Sequence, residues 1–517
     1  MGFNLAARTS SFIRIPDKLF QTKSLSGDRQ ETKWAGQSCR WKTPEHAIMR
    51  ARLICSCHGQ WALHAPADAA GAAPARDTSE RLPARGEYLV RGAHILTMDD
   101  AIADLPKGDI HIRDGAIVAV GDRLDAPAAE RIDGNGMIAL PGFVDTHWHL
   151  WNSALRALVR ADDKADGYFP VTLRLGPLCT PEDARRSVRL GLAEALVSGI
   201  TTVHDWSHNI RTPDHADAEI GALRSTGLRA HFSYGWGQDL ALTAPMNTAD
   251  LARVACDWSN EDDLLSLGAA VRTPVANPRG IVPVDILRGE YDAIRALGLP
   301  ITMHARPGVV SVLDDNGLLG KDVQLVHPQG LSIQERKRVA ETGTRFSCSP
   351  VIEMHYAQAT RGEIQFQELE EDGIQQSLSV DSSAASANAD FFACMRALLW
   401  SHKQRFGTTK PLTPRRLLAL ATIDGARDLG LADKIGSLTP GKRADLILVR
   451  TGDVNMAPVI NPYFALVYSA QPGNIDTVMV DGRILRRKGE FTALDQDQVV
   501  REATDSVTQL RARASRA

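Results

Sequence analysis

Pro141-Gly142-Phe143-Val144-Asp145-Thr146-His147-Trp148-His149 is a short apolar segment that runs into a His-x-His pair. In an extended strand the side chains at i and i+2 share a face. His147 and His149 therefore point the same way, and Asp145, of the same parity, joins them. Two imidazoles so placed suit one divalent metal ion, and Asp145 is placed to hold a ligating imidazole from behind. Alone, a His-x-His is a weak signal, because two core or surface histidines spell the same pattern. Its meaning depends on the neighbouring segments.

From Pro141 onward, short apolar strands alternate with helical stretches. Strands are predicted to end at His147, His204, Tyr234, Val271, His304, His327, Ser347 and Asp381. Pro181-Glu182-Asp183 opens a helix that runs to about Val197, with proline near N1 and acidic residues in the first turn. Another runs from Val284 to Leu297 and stops at Gly298. Eight strand-then-helix units over about 290 residues predict an α/β fold, a parallel (β/α)8 barrel of the TIM type. Active sites of such barrels sit at the strand C-termini. Three more strand ends carry a suitable side chain there: Pro300–His304, Val323–His327 and Leu378–Asp381. One apolar strand ending in histidine is usually structural. Three such ends in one barrel, following a His-x-His, point to a metal site.

Both flanks of the barrel read as strands. Asp109–Arg113, the turn Asp114-Gly115 and Ala116–Gly121 predict a hairpin, as do Thr477–Val480, Asp481-Gly482 and Arg483–Leu485. Tyr88–Val90, His94–Leu96 and Ala444–Val449 add further strands. The expected organisation is a composite β-sandwich domain from residues 86–138 and 435–492, a barrel over 139–434 and a helical tail over 493–517. Residues 1–85 show no sustained periodicity and carry 13 Lys+Arg against 7 Asp+Glu, a net of +6. They are expected to be a disordered basic extension.

Together these segments resemble the amidohydrolase superfamily of metal-dependent hydrolases, most nearly its atrazine-chlorohydrolase/cytosine-deaminase branch. The resemblance covers about residues 86–490. It rests on the Pro-Gly-Phe-Val-Asp-x-His-x-His opening, on Ala421–Arg427, and on Ile435-Gly436-Ser437-Leu438-Thr439-Pro440-Gly441-Lys442-Arg443-Ala444-Asp445-Leu446. It implies that His147, His149, His304 and Asp381 bind one divalent metal ion, with zinc the default and iron or manganese the alternatives. Asp381 would also take the proton of the attacking water, and His327 would hydrogen-bond the substrate or its developing oxyanion. The implied activity is hydrolysis of a non-peptide C–N bond in a small molecule (amide, urea, carbamate or substituted N-heterocycle) by a metal-bound hydroxide.

One position departs from the pattern. Deaminases of this branch usually carry a Glu three residues after the fifth-strand histidine, where it shuttles a proton to a ring nitrogen. Here His304-Ala305-Arg306-Pro307 places proline there. A nucleobase-type aminohydrolase would need a substitute, for which Asp205, His208 and Glu353 are candidates. Trp151, His204, Asp205, His208, Trp236, Arg306 and Glu353 are the expected substrate contacts, with Arg272 and Arg306 able to meet an acidic group. A third reading, from another class, is a non-catalytic barrel scaffold. Such scaffolds lose metal ligands, and all four are present here.

Composition sets the outer bounds. The 517 residues are 44% hydrophobic and 23% charged, enough to bury a core without disulfide staples. Net charge is −3, so everything beyond residue 85 carries −9, which does not fit a nucleic-acid binder. No apolar run reaches the ~18 residues of a membrane span. Seven widely spaced cysteines, an odd number, predict free thiols in a reducing, cytoplasmic setting. Cys55-Ser-Cys57-His58 lacks the second pair of a zinc clip, and Met49–Ala75 reads as a poor export signal broken by His58, Gln60 and His64. Members of the resembled branch are often homo-oligomers, and that is the expectation here, with a small molecule as substrate.

Overall fold

A computed structural model describes residues 82–516, apart from 157, 161–163, 259–262, 276–279 and 358–360. The expectations for the basic extension, the Cys55–His58 segment and Met49–Ala75 lie outside the described residues. The barrel consists of eight parallel strands paired in chain order. They are preceded by five strands of a second sheet: β1 (Tyr88–Ile95), β2 (Leu105–Arg113), β3 (Ala116–Gly121), β4 (Glu130–Asp133) and β5 (Met137–Pro141). The barrel strands are β6 (Phe143–Trp148), β7 (Ile200–Ser207), β8 (Arg229–Tyr234), β9 (Leu265–Val271), β10 (Ile301–His304), β11 (Val323–Val326), β12 (Arg345–Cys348) and β13 (Gln376–Leu378). All eight predicted strand ends lie within a few residues of the observed ones.

The ladder closes through the main chain at the site end. Trp148 bridges to Asp381. The Asp381 N–H donates to the His147 carbonyl at 2.8 Å, and the His149 N–H donates to the Asp381 carbonyl at 2.7 Å. Helices cover the barrel as their sequences direct. Pro181–Val197 starts with a reciprocal capping box, in which Thr180 accepts from the Asp183 N–H and Asp183 accepts from the Thr180 N–H, an arrangement worth about 1 kcal/mol. Its buried Val188, Leu192 and Leu196 share one apolar core with Ile200 and Val203 of β7 and Leu223 of the helix Pro213–Thr226.

After the barrel come β14 (Leu446–Arg450), β15 (Ile475–Val480), β16 (Arg483–Arg487) and β17 (Glu490–Phe491). Both flanks form one nine-stranded sheet, in the order β17-β16-β15-β14-β5-β1-β2-β3, with β4 added to β1. β5 joins the halves by pairing with β14 from Met137↔Arg450 to Pro141↔Leu446. The sheet folds over a core of its own, in which Val90, Ile110, Ile112 and Ile117 meet Leu446, Leu448, Met479 and Ile484. The two Asp-Gly turns touch: both residues of each have positive φ, and a Cβ on Gly482 would stand 2.6 Å from the Gly115 Cα. The helix Gln496–Ala514 ends the chain. Its Arg513 pairs with Asp183 at the start of the helix Pro181–Val197.

Candidate metal centre and active site

Three imidazoles and one carboxylate converge at the C-terminal mouth of the barrel. One ligand atom from each of His147, His149, His304 and Asp381 lies within 4.8 Å of all the others. His147 Nε2 is 3.2 Å from His304 Nε2 and 3.5 Å from Asp381 Oδ1, and His149 Nε2 is 3.3 Å from the same oxygen. His149 Nδ1–H donates to the Trp206 carbonyl at 2.9 Å, which leaves Nε2 as the lone pair aimed at the centre. Burial holds the His147 and His304 imidazoles well below the ordinary histidine range and His149 at about 3, with neighbouring imidazoles adding to the effect. Neutral imidazoles around one carboxylate are the ligand set that a borderline-soft divalent ion takes. These residues fit a metal ion.

His327 faces the cluster from the next strand. Its Nε2 lies 3.6 Å from Asp381 Oδ2, and its Nδ1 lies 3.2 Å from Glu353 Oε1. Glu353 is fully buried and accepts further from the Ser349 N–H at 2.8 Å and the Cys348 thiol at 3.0 Å. Expected as a substrate contact, Glu353 instead stands behind His327 and orients it. Asp145 also differs from expectation. Its oxygens accept the main-chain N–H groups of His147 (2.9 Å) and Val380 (3.1 Å), so it fixes the backbone beside two ligands rather than an imidazole ring.

The second strand corrects two further expectations. β7 runs to Ser207, three residues past its predicted end. His204 therefore sits one layer below the metal centre, with Nδ1 on the Thr146 carbonyl (2.7 Å) and Nε2 on Ser233 Oγ (2.7 Å), and borders a cavity at the strand N-termini. Asp205 has the opposite parity and points out of the barrel to a second buried carboxylate, Glu219, on the helix Pro213–Thr226. Neither residue can touch substrate. Trp206 takes the place expected of them, its ring 4.3 Å from that of His304 and 5.0 Å from that of His149. Strand parity could have found Trp206, had the strand end been placed correctly.

His208 packs against His149 with ring centroids 4.1 Å apart. Trp151 Nε1 donates to His208 Nδ1 at 3.1 Å, so the proton of neutral His208 lies on Nε2, where the Gln238 amide, 2.6 Å away, accepts it once turned to present its otherwise unpartnered Oε1. Trp151 is itself buried and orients His208, whereas Trp236 is half-exposed and flanks Trp206 at 5.3 Å. Tyr234 packs under loops with its hydroxyl on Asp250, and Arg272 is tied to Glu290 at 2.6 Å. Sequence reasoning missed a chain along the wall. Ser382 Oγ donates to Asn152 Oδ1 (3.0 Å), and Asn152 Nδ2 donates to the Tyr168 hydroxyl (2.9 Å). It also missed a polar layer beneath the metal centre, where Thr302, Gln324, Ser377 and Asp428 are linked to Thr146. Single polar residues inside apolar strands give no signal that separates them from turn or surface residues.

A model described as the amidohydrolase family matches residues 138–485. The chain belongs to the amidohydrolase family. It is a metal-dependent hydrolase of carbon–nitrogen bonds in small molecules. Among relatives, it is 28% identical over 455 residues to a 5'-deoxyadenosine deaminase of Methanosarcina mazei, covering 83% of this chain and 99% of that protein. It is 29% identical over 442 residues to a 5-methylthioadenosine/S-adenosylhomocysteine deaminase of Pelotomaculum thermopropionicum, covering 80% and 96%. Among solved structures, atrazine chlorohydrolase TrzN from Arthrobacter aurescens TC1 complexed with zinc superposes with a TM-score of 0.72 at 22% identity, covering 81% of this chain and all of that one. An adenosine deaminase from Xanthomonas campestris with bound zinc does so with 0.71 at 21% identity, covering 83% and 100%. These two likenesses establish the shared fold.

Proposed function

We propose that His147, His149, His304 and Asp381 hold one divalent metal ion, zinc first and iron or manganese as alternatives, and that the enzyme hydrolyses an amide, urea, carbamate or substituted N-heterocycle. The convergence of these four side chains at the barrel mouth, with His327 opposite Asp381, carries the reading. The zinc in two superposing structures supports the choice of ion. When bound, the ion supplies Lewis acidity, which can bring the pKa of water from about 15.7 to about 7. Asp381 accepts the proton released by the attacking water. His327 pairs through Nδ1 with Glu353, and its Nε2 faces Asp381 and the oxyanion that develops on the attacked sp² carbon. Trp206 and Trp236 give a flat substrate an apolar wall. The proton then leaves from Asp381 to the departing nitrogen.

Pro307 has no proton to give, which supports a reaction without ring protonation. The deaminase relatives support a second reading, an aminohydrolase with a substitute proton shuttle, for which His208 and Glu353 are the candidates beside the site. A screen of amides, ureas, carbamates and aminated heterocycles on enzyme of measured metal content tests both. Release of an organic amine supports the first, and release of ammonia from ring amines alone supports the second. Protein that takes up no metal overturns both. The scaffold reading finds no support, since no ligand is lost. The four described cysteines are unpaired, which supports a reducing compartment such as the cytoplasm. Among the described residues no helix is long and apolar enough to cross a membrane. A homo-oligomer without nucleic acid is the expected state, measurable by light scattering.

A further inference from the structure

We propose that the substrate carries an anionic oxygen group, a carboxylate or a phosphate, and that Arg306 and Arg361 receive it beside the metal centre. The inference deepens the hydrolase reading above and rests on it.

Arg306 stands two residues after the ligand His304, on the loop that leaves β10 at the mouth of the barrel. Its Nε is buried and has no hydrogen-bond partner. Among the described residues, no carboxylate lies within ion-pair distance of Arg306 or of Arg361. Three other arginines of low exposure are compensated by carboxylates, whereas buried Arg486 is satisfied by the carbonyls of Gly489, Val197 and Ile475. Arg229 has Asp445 at 2.8 Å, Arg272 has Glu290 at 2.6 Å and Arg345 has Asp428 at 2.9 Å. A guanidinium taken out of water stays charged, and leaving it without a counter-charge is costly unless something else supplies one.

Arg361 is brought to the same place by the loop after β11. Gln329 Nε2 donates to the Gly362 carbonyl at 2.5 Å, Gln329 bridges to Ile364, and the Gln365 N–H donates to the Pro328 carbonyl at 2.8 Å. Gly330 is the junction. A Cβ there would stand 2.7 Å from the Pro307 ring and 2.9 Å from the Arg361 carbonyl, so the Arg306-Pro307 loop and the Arg361 segment meet over a residue that must be glycine. The Arg361 guanidinium, partly buried, is repelled by Arg306 and attracted by Asp381 and Glu353. Both cations thus share the space that holds the proton acceptor and the carboxylate behind His327. Pro307 fits the same account. A glutamate at 307 would stand next to Arg306 in sequence and could neutralise it, whereas proline leaves the charge for the substrate. Paired guanidiniums are the side chains best suited to bind a planar carboxylate or a phosphate through two N–H groups each.

The test uses zinc-loaded enzyme and the matched set 4-acetamidobenzoate, 4-acetamidophenyl phosphate and 4-acetamidotoluene, with benzoate and inorganic phosphate as binding probes. At least a tenfold preference in kcat/KM for one or both anionic anilides over the neutral one is expected. Benzoate or phosphate binding by calorimetry should weaken about tenfold in Arg306→Gln and in Arg361→Gln at unchanged zinc content, and Arg306→Lys should keep part of it. Preference for the carboxylate or for the phosphate decides between the two sources. Because Arg306 has no partner to lose, Arg306→Gln should leave Tm unchanged or raised. Equal or better turnover of the neutral anilide, or probe binding unchanged in both Gln variants, overturns the proposal while leaving the hydrolase reading intact. A Tm drop in Arg306→Gln with probe binding unchanged assigns a structural role and also overturns it. If no anilide is turned over, the hydrolase reading is in question, and the binding arms still decide the anion site.

Discussion

His327 and Asp381 share an uncommon backbone. Their φ values are +74° and +69°, in the left-handed region that residues with a Cβ avoid. Such conformations cost roughly 1–3 kcal/mol each and persist where surrounding bonds dictate them. The His327 N–H is held by the Ser347 carbonyl, and the Asp381 N–H and carbonyl are held by His147 and His149. Each strand end is thereby turned so that its side chain enters the reaction space. Asp381→Asn is expected to keep metal but lose turnover, because the amide cannot accept the water's proton; full activity in that variant removes Asp381 from its role. His327→Ala should likewise abolish turnover. Glu353→Gln keeps the shape but loses the charge that pairs with His327, so kcat is expected to fall roughly 10²-fold, within the range typical of acid–base groups. KM and metal content should stay near normal, which steady-state kinetics and metal analysis on one preparation will show.

At the scale of the element, β7 shows where sequence reading succeeds and where it stops. Its existence, direction and place in the barrel followed from an apolar run between two helical stretches. Its end did not, because Thr202, His204 and Trp206 all face the interior and no Gly or Pro marks which of them is last. A strand end misplaced by three residues turned a buried polar pair, His204 and Asp205, into apparent substrate contacts. The ligands themselves were legible, because each sits where an apolar strand gives way to a loop. The outward face of β7 carries its own prediction. Burial raises the Glu219 carboxyl to about 7 and raises that of neighbouring Asp205 as well. The folded state thus holds protons that the unfolded chain gives up near pH 4.5. The stabilisation is complete below about that pH and is lost as pH rises toward 7. Tm should fall between pH 5 and pH 8, and Glu219→Gln should flatten that fall by on the order of 1–3 kcal/mol.

The whole molecule depends on a bond that no local pattern announces. The sheet's hairpins were legible from their Asp-Gly turns, but a turn does not say which distant strand its hairpin will meet. β5 pairs with β14 across the entire barrel sequence, and the same junction is pinned by charge. Asp445, just before β14, accepts from Arg229 Nε at 2.8 Å and Nη2 at 3.2 Å at the start of β8, and from the Asp481 N–H at 2.8 Å in the second Asp-Gly turn. Both side chains of the pair are only 2% exposed. One carboxylate therefore ties together a barrel strand, the returning sheet and the turn that touches Gly115. Removing one partner of a buried pair typically costs about 3–5 kcal/mol, because the other charge stays buried alone. Asp445→Ala should lower stability by roughly that amount in denaturant titrations. The double variant Arg229→Met/Asp445→Leu, which removes both charges, should recover much of the loss. If the sheet and barrel unfold as one unit, the single variant will shift one cooperative transition seen alike by tryptophan fluorescence and circular dichroism. A transition that splits in two would instead show that this junction fastens together two parts that are each stable alone.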